Sequence, residues 1–151
     1  MNLQMQINSL KQRIAELEQQ AKQEQEFPQE DDIFWLINTF GKPVESTWGE
    51  SITNRQLIEI GNMFRTKEQA EFAVEKLKVE AELRKFSRPF EIGKRNTEFY
   101  YWHESGRVMF NYFKTCQTQG SIYFESEEKA RQAIKSVGEE RIKKYIFGVE
   151  E

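Results

Sequence analysis

The sequence predicts an α+β fold: an N-terminal coiled-coil helix, then a mostly antiparallel sheet with helices packed on one face. Three observations predict it. Apolar residues recur at alternating spacings of 4 and 3 through the first 21 positions, the mark of a helical seam. Two segments 60 residues apart, beginning at Gly61 and Ser121, repeat one pattern of short strand, capping residue and helix. Upstream of each lies a pair of apolar runs around a glycine-containing turn, which reads as a hairpin. The chain has 151 residues, enough for one domain and an appendage, and its 13% aromatic content argues for a folded rather than a disordered chain.

The first element spans residues 1–22. Leu3, Ile7, Leu10, Ile14, Leu17 and Ala21 form the seam, with Ile, Ile and Ala at heptad position a and three Leu at d. Ile at a with Leu at d favours a parallel homodimer, in which Arg13 of one copy faces Glu18 of the other. The seam lasts under three heptads, and an isolated helix of that length is marginal, so docking on its own domain is the alternative. Residues 23–32 (QEQEFPQEDD) then read as an acidic linker, with Pro28 and a charge run ending the helix.

Residues 33–151 form the α+β domain, built from two pseudo-repeats of about 33–86 and 96–138 and a closing segment 139–151. In the first repeat, Ile33–Ile37 and Val44–Trp48 flank a turn with Gly41 and Pro43. In the second, Glu98–His103 and Val108–Lys114 flank Glu104-Ser105-Gly106-Arg107. In the aligned strand–helix units, Phe64 matches Phe124, Thr66 matches Ser126, Ala70 matches Ala130, Ala73 matches Ala133 and Leu77 matches Val137. Thr66 and Ser126 are expected to cap the free N–H groups of a helix, and the alanines to let it lie close on a sheet. Val74, Leu77 and their counterparts are expected to fill the core. Gly138 is placed to stop the second helix. A last helix from Glu139 to about Tyr145 precedes Ile146 and Phe147, which are expected to tuck inward. Whether the two halves share one sheet is open at this level.

Charge and chemistry narrow the function. The formal charge of −3 disfavours strong non-specific nucleic-acid binding. It is uneven: residues 1–32 carry three basic against seven acidic side chains, leaving the remainder near neutral. No run approaches the length of a membrane span, and the single Cys116 forms no intramolecular disulfide, which fits a cytoplasmic protein. No phosphate-binding loop motif or dinucleotide-binding fingerprint is present. His103 is the only histidine and reads as a strand-edge residue, and Cys116 as a plain semi-buried thiol. The pairs Glu127-Glu128 and Glu139-Glu140 read as first-turn partners of a helix dipole. The chain is therefore expected to be non-enzymatic, with no catalytic, metal or cofactor residues.

The run Phe99-Tyr100-Tyr101-Trp102 carries the binding expectation. Alternate strand residues face opposite sides, so one pair must leave the core unless something covers it. Tyr100 and Trp102, with Arg107 and Tyr112 on the facing strand and Lys94 and Arg95 nearby, form the candidate partner or ligand site. The alternative is a sheet buried on both faces. Arg84, Lys85 and Arg88 form a second basic cluster, read as complementing a helix C-terminus.

The stretches IGNMFRTKEQAEFAVEKLKVEAELRKF and GSIYFESEEKARQAIKSVGEERIKKYIFGVE, with the aromatic strand Phe34-Trp35, resemble a family of small uncharacterised proteins of phages and prophages of Gram-positive bacteria. The resemblance covers roughly residues 33–151 and carries no catalytic residues over. It implies a bacterial host cytoplasm and, by association, an anti-defence inhibitor of the anti-CRISPR type that binds a host nuclease. Two other functions stay open: a nucleic-acid-binding accessory protein, and a protein that sequesters a nucleotide signal.

Overall fold

The acidic segment predicted as a linker is in part woven into the domain. Asp31 N–H donates to Trp48 O at 3.2 Å, Trp48 N–H donates to Asp32 O at 2.7 Å, and Asp32 Oδ2 accepts from Gln29 N at 2.8 Å. The Arg65 guanidinium stands 4.8 Å from the centre of the Phe27 ring. These contacts come from a computed structural model that describes residues 2–24 and 26–150. From Phe27 onward the chain belongs to the first hairpin, while Glu26, Glu30 and Asp31 keep their side chains in solvent.

The elements run α1 (Leu3–Glu24), β1 (Ile33–Ile37), β2 (Pro43–Thr47), α2 (Ile52–Glu59), α3 (Lys67–Arg84), β3 (Asn96–Trp102), β4 (Arg107–Phe113), α4 (Glu127–Val137) and α5 (Glu139–Tyr145). The fold is α+β, with a long N-terminal helix and antiparallel pairing throughout the two sheets. β1 pairs with β2 from Ile33↔Thr47 to Ile37↔Pro43, and β3 pairs with β4 from Asn96↔Phe113 to Trp102↔Arg107.

Each half repeats one plan. Trp35 and Phe64 exchange both backbone hydrogen bonds at 2.8 Å, and Thr97 and Phe124 do the same at 2.9 and 2.8 Å. The predicted short strand is thus a single bridge beside the first strand of each hairpin. A helix follows at once: Thr66 Oγ1 accepts from Gln69 N at 3.2 Å, and Ser126 Oγ accepts from Lys129 N at 3.1 Å. Ala70 and Ala130 are both fully buried beneath these helices. Gly138 ends α4 at φ +100°, a backbone conformation open to glycine at little cost.

The two hairpins form separate two-stranded sheets instead of one continuous sheet. α3 is the reason. It packs against β1 and β2, and also against α4 and α5, so the halves meet helix to helix. A hydrophobic core cluster lies in the second half, where Val79 and Leu83 of α3 join Val108, Phe124, Ala130, Ala133, Val137 and Ile142. Phe99, Ile146 and Phe147 pack against it, as the closing segment was expected to do.

Two further features depart from the sequence reading. α2 was not anticipated: it is short, has no buried residue, and is started by Ser51 Oγ accepting from Asn54 N at 3.1 Å. Leu77 was expected in the core but is 56% exposed, whereas its counterpart Val137 is only 4% exposed. The end of α3 and α5 cover Val137, and no described element covers Leu77 in the same way.

Candidate functional site

The second hairpin resolves the aromatic run by its register. Phe99↔Phe110 and Tyr101↔Val108 share the inner face, where Phe99 lies 4.8 Å from the Phe124 ring centre. Tyr100↔Met109 and Trp102↔Arg107 alternate with them on the other face, and Tyr100 and Trp102 stay 40% and 47% exposed. The sheet is therefore not buried on both sides.

The six sequence-derived binding candidates do not form one site. Arg95, Arg107 and Tyr112 come together around a depression of about 460 Å³ where the hairpin meets the start of α4. Tyr100 and Trp102 do not line it. Lys94 is turned to Glu91, its Nζ 2.8 Å from Oε2.

The depression gathers three arginines of different status. Arg95 lies 4.1 Å from the Tyr112 ring centre, a cation–π stack, and has no carboxylate partner among the described residues. Arg131 of α4 stands over Phe110 at 4.8 Å and pairs with Glu127 at 2.6 Å. Arg107 Nε donates to Glu139 Oε1 at 2.9 Å, and the same oxygen accepts from Val108 N at 3.0 Å. The hydrogen bond from Arg107 holds the Glu139 carboxyl below its ordinary range, and the Val108 amide adds to the effect. Glu139 was read as a helix-dipole partner; it also ties β4 to α5. Thr97 lines the same depression, and its buried Oγ1 is the one buried side-chain polar atom without a hydrogen bond among the described residues.

Arg131 and Thr97 were missed by sequence reasoning. Arg131 sits on a helix face that only the fold brings beside β4. Thr97 looked like an ordinary strand residue. A planar guanidinium stacked on an aromatic ring, with a second arginine beside it, suits phosphate or carboxylate groups on a flat or extended ligand.

The remaining candidates are structural or solvent-facing. His103 lies in the turn after β3, edge-on to Tyr101 at 4.7 Å, rather than on the strand. Cys116 is exposed, not semi-buried. Of the second basic cluster, Arg84 pairs with Glu80 at 3.5 Å, and Arg88 donates to Asn96 Oδ1 at 2.8 Å and to the Pro89 carbonyl at 3.0 Å. No group of His, Cys, Asp and Glu among the described residues could hold a metal ion.

α1 presents the other candidate surface. Leu3, Ile7, Leu10, Ile14, Leu17 and Ala21 are all exposed, so the helix does not dock on its own domain in this structure. Arg13 pairs within the chain with Glu16, at 3.3 Å. No described helix is long and apolar enough to cross a membrane. No protein-family model, curated protein or solved structure matches the chain.

Proposed function

We propose that the chain is a non-enzymatic binding protein that assembles as a homodimer through α1 and acts as a phage or prophage accessory protein in the bacterial cytoplasm. The most concrete role is inhibition of a host defence nuclease. The observation that carries the binding reading is the α1 seam. Six apolar positions at heptad spacing lie exposed on a helix that no described part of the domain covers. A water-facing seam of that length is stabilised by pairing with a like helix, each buried leucine contributing about 1.5–3 kcal/mol. The resemblance of residues 33–151 to small phage proteins supports the setting. The exposed carboxylates of Glu26, Glu30 and Asp31 beside the helix support mimicry of nucleic-acid charge toward a nuclease.

The test has two parts. Light scattering should give a dimer for the full chain and a monomer for Leu10→Glu/Ile14→Glu, with unchanged circular dichroism from the domain. A purified defence nuclease should then lose cleavage on adding the wild-type chain. A monomeric wild type removes the dimer, and undiminished cleavage across the defence nucleases of the host removes the inhibitor.

A second reading, binding of a nucleic acid or a nucleotide, is favoured by one specific observation: the Arg95–Tyr112 stack beside Arg131. It predicts oligonucleotide or nucleotide affinity that falls with salt and with Arg95→Ala. No shift at low ionic strength removes it.

A further inference from the structure

The repeat tells what the open side of the first half lacks. Trp35 and Phe64 occupy the places of Thr97 and Phe124, so Ile37 corresponds to Phe99, Asn62 to Ile122 and Leu77 to Val137. In the second half, Phe99 and Ile122 pack, together with Ile146 and Phe147, against the core cluster that Leu83 of α3 helps to form. The covering part of α3 is a small amphipathic unit. Val79 and Leu83, one helical turn apart, are buried, and Glu80 and Glu82 flank them. Arg141 receives Glu82 at 2.9 Å.

In the first half the equivalent surface is bare. Two adjoining depressions of about 450 and 390 Å³ share Ile37 and Leu77. Phe40 and Ile60 on their rims are 85% and 75% exposed. Contiguous apolar surface of this kind marks an interaction site more often than an isolated exposed residue does. Its borders carry more positive than negative charge, because the one carboxylate that lines it, Glu80, is paired with Arg84 at 3.5 Å. Lys42 and Lys76 line the depressions without a carboxylate partner among the described residues, while Lys78 is paired with Glu75 at 2.7 Å.

We infer that this groove is a docking site for a helical segment of a partner protein, apolar at positions i and i+4 and flanked by carboxylates. The partner repeats on the first half the chemistry by which α3 covers the second. The inference rests on reading the chain as a protein-binding molecule, and it names the surface and the kind of partner. α1 fits the groove less well, because Lys11 and Arg13 flank its seam as well as Glu16 and Glu18, which sets like charge against Lys42 and Lys76.

Two labelled helical peptides of about 16 residues test it, with leucines at i and i+4 and flanks of glutamate in one, lysine in the other. Fluorescence anisotropy against the full chain should show saturable binding of the acidic peptide, at least about tenfold tighter than of the basic one. Leu77→Asp should weaken it at least about tenfold, and Lys42→Glu/Lys76→Glu should invert the charge preference. All three side chains are exposed, so circular dichroism should report an unchanged fold. No saturation up to about millimolar peptide, indifference to Leu77→Asp, or equal affinity for both peptides overturns the proposal. A Cys116→Ser chain carrying Ile14→Cys and Leu77→Cys should form no disulfide between positions 14 and 77 on oxidation, whereas the α1 seam joins position 14 to its own copy; a 14–77 disulfide found by peptide mapping means α1 fills the groove, which also overturns it. The light-scattering experiment reads α1 alone, so either result can fail without the other.

Discussion

Arg141 of α5 holds Glu82 of α3 through two parallel hydrogen bonds, Nη1 to Oε2 at 2.9 Å and Nη2 to Oε1 at 3.0 Å, while Nη1 also donates to the Val137 carbonyl at 3.2 Å. The pair joins the two helices that cover the second half of the fold. Its forked geometry is the kind that gives an ion pair more than the usual surface value.

That pair sets an acid sensitivity. The hydrogen bond from Arg141 holds the Glu82 carboxyl below its ordinary value of 4.5, with smaller help from the charges of Arg141 and Lys85. A carboxylate with a lowered folded pKa adds stability above its unfolded value and loses it as pH falls through the folded one. Both side chains are more than a third exposed, so solvent screening keeps the contribution to about 0.5–1 kcal/mol. Arg141→Met, which keeps the aliphatic stem, should lower stability by that amount at pH 7. The gap between the two proteins should close as pH drops below the carboxylate range. Urea unfolding across pH checks this, and a gap that persists in strong acid assigns the loss to packing.

The elements whose sequence carries both periodicity and punctuation were legible. β1 and α5 fall at Ile33–Ile37 and Glu139–Tyr145 as expected, and the caps at Thr66 and Ser126 form. α2 was not legible because Thr53 and Asn54 are weak helix formers and its apolar residues Ile52, Leu57 and Ile58 form no buried stripe, so it stands on a cap. Leu77 was misplaced because a repeat in sequence does not reveal what covers each copy. That depends on α3 running past the length of its own repeat. The site was half legible: Arg95, Arg107 and Tyr112 were chosen for nearness in sequence and do converge, but Arg131 joins them only through the packing of α4 on β3. Lys94 and Trp102 were equally near in sequence, and the strand pleat and the loop before β3 send them elsewhere.

The face assignment of the aromatic run is testable by substitution. Phe99→Ala should cost about 3 kcal/mol, because the half-buried ring packs against Phe124 and Phe110 at the edge of the core. Tyr100→Ala and Trp102→Ala should each stay within about 1 kcal/mol of wild type, since both lie on the outer face. Thermal melts of the three variants decide it. If Trp102→Ala is as damaging as Phe99→Ala, the outer face is buried in the assembled protein, and light scattering on that variant should then show the loss of a subunit contact.

Asn96 organises the turn that leads into β3. Its Oδ1 accepts from Arg88 Nη1 at 2.8 Å and from Glu91 N at 2.9 Å, and its Nδ2 donates to the carbonyls of Glu91, Lys94 and Phe113 at 2.9, 3.0 and 3.1 Å. The side chain is fully buried, so each lost bond leaves a desolvated group behind. Asn96→Ala should cost about 3 kcal/mol. Asn96→Asp should cost more, because it turns a carboxylate oxygen toward three carbonyls that now meet a donor. A milder effect for Asp than for Ala in denaturant titrations would mean that the acid is protonated there and donates in place of the amide.

Thr97 offers the opposite case. Thr97 lines the arginine-lined depression, and its buried hydroxyl has no hydrogen bond, a state that costs roughly 1–3 kcal/mol against a satisfied or apolar group. Valine has nearly the same shape and a strong strand preference. Thr97→Val should therefore raise stability by about 1 kcal/mol, or roughly 2–4 °C in Tm for a chain of this size. If the depression binds an anionic ligand that uses the hydroxyl, the same variant should bind it more weakly while melting higher, with the Arg95–Tyr112 stack intact. That divergence separates a residue kept for binding from one kept for folding: a structural threonine lowers Tm on substitution and leaves affinity unchanged.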